Sequence, residues 1–199
     1  MMTELDVIND CLATLGESPL VEIDEDHPFV AGIRRAFANQ SEAVQAETWW
    51  FNKELITLIP DASSKFIYVP QDTIRCDPVI DTYGTYNSLP IVQRGRRLYD
   101  TDKNSYEFDK NIDCILIRNI PFTDLPPSAQ RFISLATALK FQQNYDADPQ
   151  RTNQLMMEYN KSRADLNAEN IRNLKPNFLH KTSNQIKMSR IGGYTYRGA

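Results

Sequence analysis

Apolar residues recur at helical spacing from the start of the chain. Leu5, Ile8, Leu12 and Leu15 follow intervals of three, four and three, which predicts a helix over residues 3–15. Thr3 stands where an N-cap is needed and Asp6 follows three residues later, a variant capping box. Gly16 occupies the position after the last turn, where a left-handed residue closes a helix. An acidic connector with Pro19 runs from Glu17 to His27, and Pro28 sits where a first helical residue is favoured. Phe29, Ile33, Ala36, Phe37, Gln40 and Val44 carry the helical period on to about Thr48.

At Trp49 the period changes. Short β-type runs appear at Leu55–Ile59, Phe66–Val69, Thr73–Cys76, Pro90–Gln93, Arg97–Tyr99 and Ile112–Ile117, separated by Pro, Asp, Asn and Gly turns, Tyr83-Gly84 among them. Residues 50–122 therefore read as an antiparallel region of about six strands. No helix alternates with these strands, so a parallel βαβ sheet is disfavoured. Trp49, Trp50 and Phe51 at the junction read as core, because they follow an amphipathic helix directly.

Helix returns after Pro126-Pro127, with Phe132, Leu135, Ala136, Leu139 and Gln143 on one stripe and Ala138, Phe141 and Tyr145 beside it. Asp148-Pro149 is a cap followed by a first-turn proline, and Leu155, Tyr159, Ser162 and Leu166 carry the next helix to about Leu174. Its other faces are rich in Asn and Gln, and Pro176 stops it. The expected fold is α+β: a four-helix bundle built from residues 1–49 and 123–174, an inserted antiparallel β-lobe at 50–122, and an extended C-terminal arm at 175–199.

Composition narrows the function. The 199 residues carry 22 Lys+Arg and 26 Asp+Glu, a net charge of −4, and the mean hydropathy is −0.48. These are values of a soluble globular chain, and no apolar run approaches the ~18 residues of a membrane span. The acidic first fifteen residues do not read as a signal peptide. The charge is polarised: residues 1–26 hold eight acids and no base, and residues 170–199 hold six bases and no acid. Unlike ends point to charged contacts, a second copy of the chain among them.

Catalytic chemistry finds little support. Cys11, Cys76 and Cys114 are far apart in apolar surroundings and read as reduced packing residues, while His27 and His180 have no partner at metal-ligand spacing. Neither a phosphate-cradling glycine loop nor a nucleophile elbow is present, and the reading calls for no cofactor and no metal. Paired carboxylates could serve a hydrolase of host surface polysaccharide, with Asp72, Asp77, Asp81, Asp100 and Asp109 as the candidates, although Asp in such turns is usually structural. Arg94, Arg96 and Arg97 around Gly95, followed by Tyr99, form a basic hairpin tip. In an acidic chain this tip fits a protein partner better than nucleic acid.

An ordered set of motifs resembles the tail tubular protein A family of short-tailed bacteriophages. It comprises Leu5-Asp6-Val7-Ile8-Asn9 leading to Leu15-Gly16-Glu17-Ser18-Pro19, then Trp50-Phe51-Asn52, Thr57-Leu58-Ile59-Pro60-Asp61 and Arg94-Gly95-Arg96-Arg97-Leu98-Tyr99-Asp100. Arg131-Phe132-Ile133 and Met157-Glu158-Tyr159 complete it, over about residues 4–167. The resemblance implies a structural, non-enzymatic virion protein of the tail, made and assembled in the host cytoplasm. It implies a ring of about twelve copies between the portal at the capsid vertex and the tail nozzle, through which DNA passes without specific binding. On that reading Lys175, Lys181, Lys187, Arg190, Tyr194, Tyr196 and Arg197 form a portal-binding arm. Arg94, Gly95, Arg96, Arg97 and Tyr99 face the nozzle, and no membrane is involved.

Overall fold

The computed structural model describes residues 2–174 except 83, 84 and 147, and gives only the backbone for 81, 82 and 85–88. The expected arm residues Lys175, Lys181, Lys187, Arg190, Tyr194, Tyr196 and Arg197 lie outside the described residues.

The chain opens with α1 (Glu4–Leu15). The Asp6 amide donates to Thr3 Oγ1 at 3.2 Å, and the Thr3 amide donates to Asp6 Oδ2 at 2.7 Å, which closes the capping box. Gly16 takes φ 76° as the helix cap, a conformation that a Cβ would strain. The second helix, α2 (Val30–Gln45), starts two residues later than Pro28 suggests. The Val30 amide turns back onto the His27 carbonyl at 3.1 Å, so Pro28 belongs to the turn that precedes the helix.

Six strands follow: β1 (Lys53–Leu58), β2 (Thr73–Thr82), β3 (Thr85–Ser88), β4 (Ile91–Arg94), β5 (Arg97–Asp100) and β6 (Ile112–Arg118). Four form an antiparallel sheet in the order β1-β6-β2-β3, and β4 and β5 form a separate hairpin. Two details differ from the sequence pattern. Residues 66–69 are not a strand but a short segment beside β5, where the Val69 amide donates to Arg96 O at 3.0 Å and the Leu98 amide to Ile67 O at 3.1 Å. It is held short between Lys65, at φ 57°, and Pro70, which has no N–H to extend a ladder. The Thr73–Cys76 run continues to Thr82 and pairs with β3, which the pattern does not mark.

The chain returns to helix as α3 (Pro127–Tyr145) and α4 (Pro149–Leu174). Asp148 Oδ2 accepts the Arg151 amide at 2.8 Å and caps α4. Helix α3 is central and packs against α1, α2 and α4. It is buried around its circumference, with Phe132, Ile133 and Phe141 fully enclosed, and its polar Gln130, Ser134, Thr137 and Gln142 are buried as well. Of the residues expected on its apolar face, Phe132, Ala136, Ala138, Leu139 and Phe141 are buried, whereas Gln143 and Tyr145 are exposed. Helix α4 buries only Leu155, Ser162 and Leu166 along 26 residues; most of its other positions are polar, but Met156, Met157, Ile171 and Leu174 are exposed. None of the described helices is long and apolar enough to cross a membrane.

Three apolar clusters hold the parts together. One lies among the helices around Ile8, Leu12, Ile33 and Phe141. A second lies between the sheet and the hairpin around Ile67, Leu98, Cys114 and Leu116. The third, with Trp49, Leu125, Phe132 and Leu166, fills the junction between helices and β-lobe. Trp49 is buried there, as expected, and stacks on Phe51 at 6.4 Å.

Candidate docking face of the β-lobe

The β4–β5 hairpin turns through two residues, Gly95 and Arg96, and Arg94 pairs with Arg97 across it. Gly95 sits at φ 61°, as the first position of such a tight turn demands. Gln93 fixes the hairpin to the sheet: its Oε1 accepts the Cys76 amide at 2.8 Å, and its Nε2 donates to Gly95 O at 2.9 Å. Thr101 anchors the other end, donating its amide and hydroxyl to Pro90 O at 2.9 and 2.8 Å.

Strand alternation then sorts the side chains. Ile91 and Leu98 point into the core, and Val92, Arg94, Arg97 and Tyr99 point outward. The Arg94 guanidinium lies 3.6 Å from the centre of the Tyr99 ring. Tyr99 meets Tyr106 edge-on at 4.8 Å. Arg97 stands over Tyr106 at 4.5 Å and over Phe66 at 5.3 Å. The result is a ladder of arginines and aromatic rings, Arg94–Tyr99–Tyr106–Arg97–Phe66, with exposed Tyr68 beside it. Stacks of this kind contribute about 0.5–1 kcal/mol each at a solvated surface, enough to bias the arginine rotamers. Arg96 is exposed at the tip.

The structure brings Arg94, Gly95, Arg96, Arg97 and Tyr99 together on one hairpin. Its aromatic supports Phe66, Tyr68 and Tyr106 lie too far along the chain to be paired from spacing alone. The outward alternation of Val92, Arg94, Arg97 and Tyr99 was readable once the turn was placed at Gly95.

The acids considered for hydrolysis have other employment. Asp72 pairs with Arg118 at 2.6 Å, Asp77 with Arg75 at 2.9 Å and Asp109 with Lys65 at 2.9 Å. Asp100 accepts the amides of Asp102 and Lys103, both at 3.0 Å. The amide of Lys103 holds the Asp100 carboxyl below its ordinary value, and the Lys65 hydrogen bond does the same for Asp109. A general acid needs the opposite shift. The Asp81 side chain lies outside the described residues. The described acids are turn and ion-pair residues, which disfavours the hydrolase alternative.

The helices meet the lobe at a second polar cluster. The fully buried Asn52 accepts the Trp49 amide at 2.9 Å and donates to the carbonyls of Gln45 at 2.7 Å and Arg118 at 3.2 Å. The fully buried Gln45 accepts the Ile120 amide at 2.8 Å and donates to Ile120 O at 3.1 Å. The Arg118 guanidinium joins Glu54 and Asp72 at 2.9 and 2.6 Å. Both passages of the chain between helices and lobe are pinned to each other at this point.

The hairpin thus presents a prearranged outward face on a lobe fixed to a helical body. The family model for tail tubular proteins matches residues 5–176, and the chain belongs to that family. Tail tubular protein A of Klebsiella phage KP34 is 28% identical over 133 residues, which span 67% of this chain and 68% of that relative. The coarse role follows: a structural component of a bacteriophage tail, located in the virion.

Proposed function

We propose that the chain is the adaptor of the tail, forming a ring of about twelve copies that joins the portal at the capsid vertex to the tail nozzle and lines part of the DNA ejection channel. The pinned junction at Asn52 and Gln45 carries this reading, because an adaptor must transmit position from one partner to the other and a lobe on a loose tether could not. In this scheme the helices form a bundle that packs side by side with its neighbours. The arm from Lys175 to Arg197 runs along the portal, and the hairpin from Arg94 to Tyr99 faces the nozzle. The exposed Asn and Gln side chains of α4 suit a wall past which DNA must slide. Native mass spectrometry of the full chain with purified portal tests the scheme. It predicts about twelve copies per portal ring; a portal that takes up no copies refutes it. A chain lacking residues 175–199 should fail to dock.

A further inference from the structure

The guanidiniums of the hairpin are arranged but unspent. Arg34, Arg75, Arg118 and Arg163 each hold a carboxylate within 3.0 Å. Among the described residues Arg94, Arg96 and Arg97 hold none, although Asp100 and Asp102 lie close by in sequence and Asp100 is committed to its own turn. The guanidiniums of Arg94 and Arg97 rest over the rings of Tyr99, Tyr106 and Phe66, and among the described residues their N–H groups donate no hydrogen bond to protein. A guanidinium already held against an aromatic ring is suited to a bidentate grip on a planar carboxylate. Holding it in advance removes much of the ordering cost of binding.

We propose that this ladder is a preassembled carboxylate clamp, and that the protein it docks presents a loop of Asp or Glu side chains to Arg94 and Arg97. The inference rests on the β-lobe facing the nozzle and adds the chemistry of that contact. Protein carboxylates fit better than a nucleic-acid backbone. The clamp is only two guanidiniums wide, and the chain as a whole carries a net charge of −4, a poor footing for a long polyanion. Val92, 41% exposed, and Tyr68, 53% exposed, supply an apolar rim against which a protein loop can close.

Binding of the full chain to the purified nozzle protein of the same phage tests the clamp, with the wild type, R94K/R97K, R94Q/R97Q and Y99L compared at two salt concentrations. Circular dichroism checks that each variant is folded. The lysine pair keeps the charge but loses the fork, and should weaken binding on the order of tenfold, as should loss of the Tyr99 platform. The glutamine pair should weaken it further and flatten the salt dependence. Hydrogen exchange on the nozzle protein should show protection at a segment containing Asp or Glu. Binding that ignores all three variants, or protection confined to a segment without acids, overturns the clamp and leaves the nozzle-facing orientation standing. No binding by the wild type overturns both. A duplex DNA probe that binds the wild type and is released by the same variants would reassign the face to nucleic acid.

Discussion

Asn52 donates its side-chain amide to the main-chain carbonyl of Gln45 across 2.7 Å, and both residues are fully buried. Gln45 is the last residue of α2 and Asn52 stands just before β1, so this bond fixes the angle at which the chain leaves the helices. The second bond of the same amide, to Arg118 O, fixes the return.

Replacing Asn52 by Leu keeps similar bulk and removes all three of its hydrogen bonds. The Trp49 amide and two carbonyls are then left buried without that partner. The expected loss is about 3 kcal/mol, since each unsatisfied group costs about 1–3 kcal/mol. For a chain of this size that is a fall in Tm of roughly 6–12 °C. Thermal unfolding followed by circular dichroism measures it, and a change under 2 °C would show that the junction does not depend on Asn52.

Leu166 is fully enclosed between α4 and the junction core, and α4 has few other buried side chains. Leu166→Ala should cost about 3 kcal/mol through transfer and cavity terms. The damage should be largely local. Amide exchange should rise in α4 well before it rises in the β-sheet; equal loss of protection in both would mean that helix and lobe open together.

Much of this architecture is readable from the sequence where the signals are local. Thr3 with Asp6, Gly16, and Asp148 with Pro149 each solve the end of a helix within four residues, and the structure uses them so. The Gly95 turn is local in the same way. The signal fails where a residue depends on distant chain. The Phe66–Val69 run has strand composition, but Lys65 and Pro70 confine it to isolated bridges. Gln130, Thr137 and Gln142 look solvent-facing by polarity and are buried because α3 is packed by three other helices. Tyr106 contributes to the docking face only because β5 and the loop after it bring it back against Tyr99.

Asp61 accepts four hydrogen bonds, from the amides and hydroxyls of Ser63 and Ser64, at 2.7–3.1 Å. The Ser64 amide leads the set, which holds the carboxyl well below the ordinary range. A carboxyl lowered in the folded state stabilises its loop above the unfolded value of about 3.9 and loses that contribution as pH falls toward the folded value. The Asp61 carboxyl carbon in an NMR titration should stay ionised through the pH range where an ordinary Asp protonates. In Asp61→Asn the protection of the Ser63 and Ser64 amides, taken relative to their intrinsic exchange rates, should no longer fall as the pH drops. A normal midpoint for Asp61 would contradict the turn geometry.

Cys11, Cys76 and Cys114 are buried free thiols. Burial, with Asp10 nearby, pushes Cys11 up to about 12, and contact with the Cys76 thiol together with burial raises Cys114. Because the thiolate is the reactive form, a disulfide reagent at pH 8 should modify neither Cys11 nor Cys114 in the folded chain and should modify all three thiols in denaturant. Rapid labelling of Cys11 or Cys114 in the native state would show that its cluster opens.

A reconstruction of the intact virion tail by electron cryomicroscopy tests the adaptor role most directly. The account predicts a ring of about twelve copies between portal and nozzle, with the helices toward the portal and the hairpin of Arg94 to Tyr99 against the nozzle. A chain found elsewhere in the tail, or seated there with the β-lobe turned toward the capsid, would contradict it.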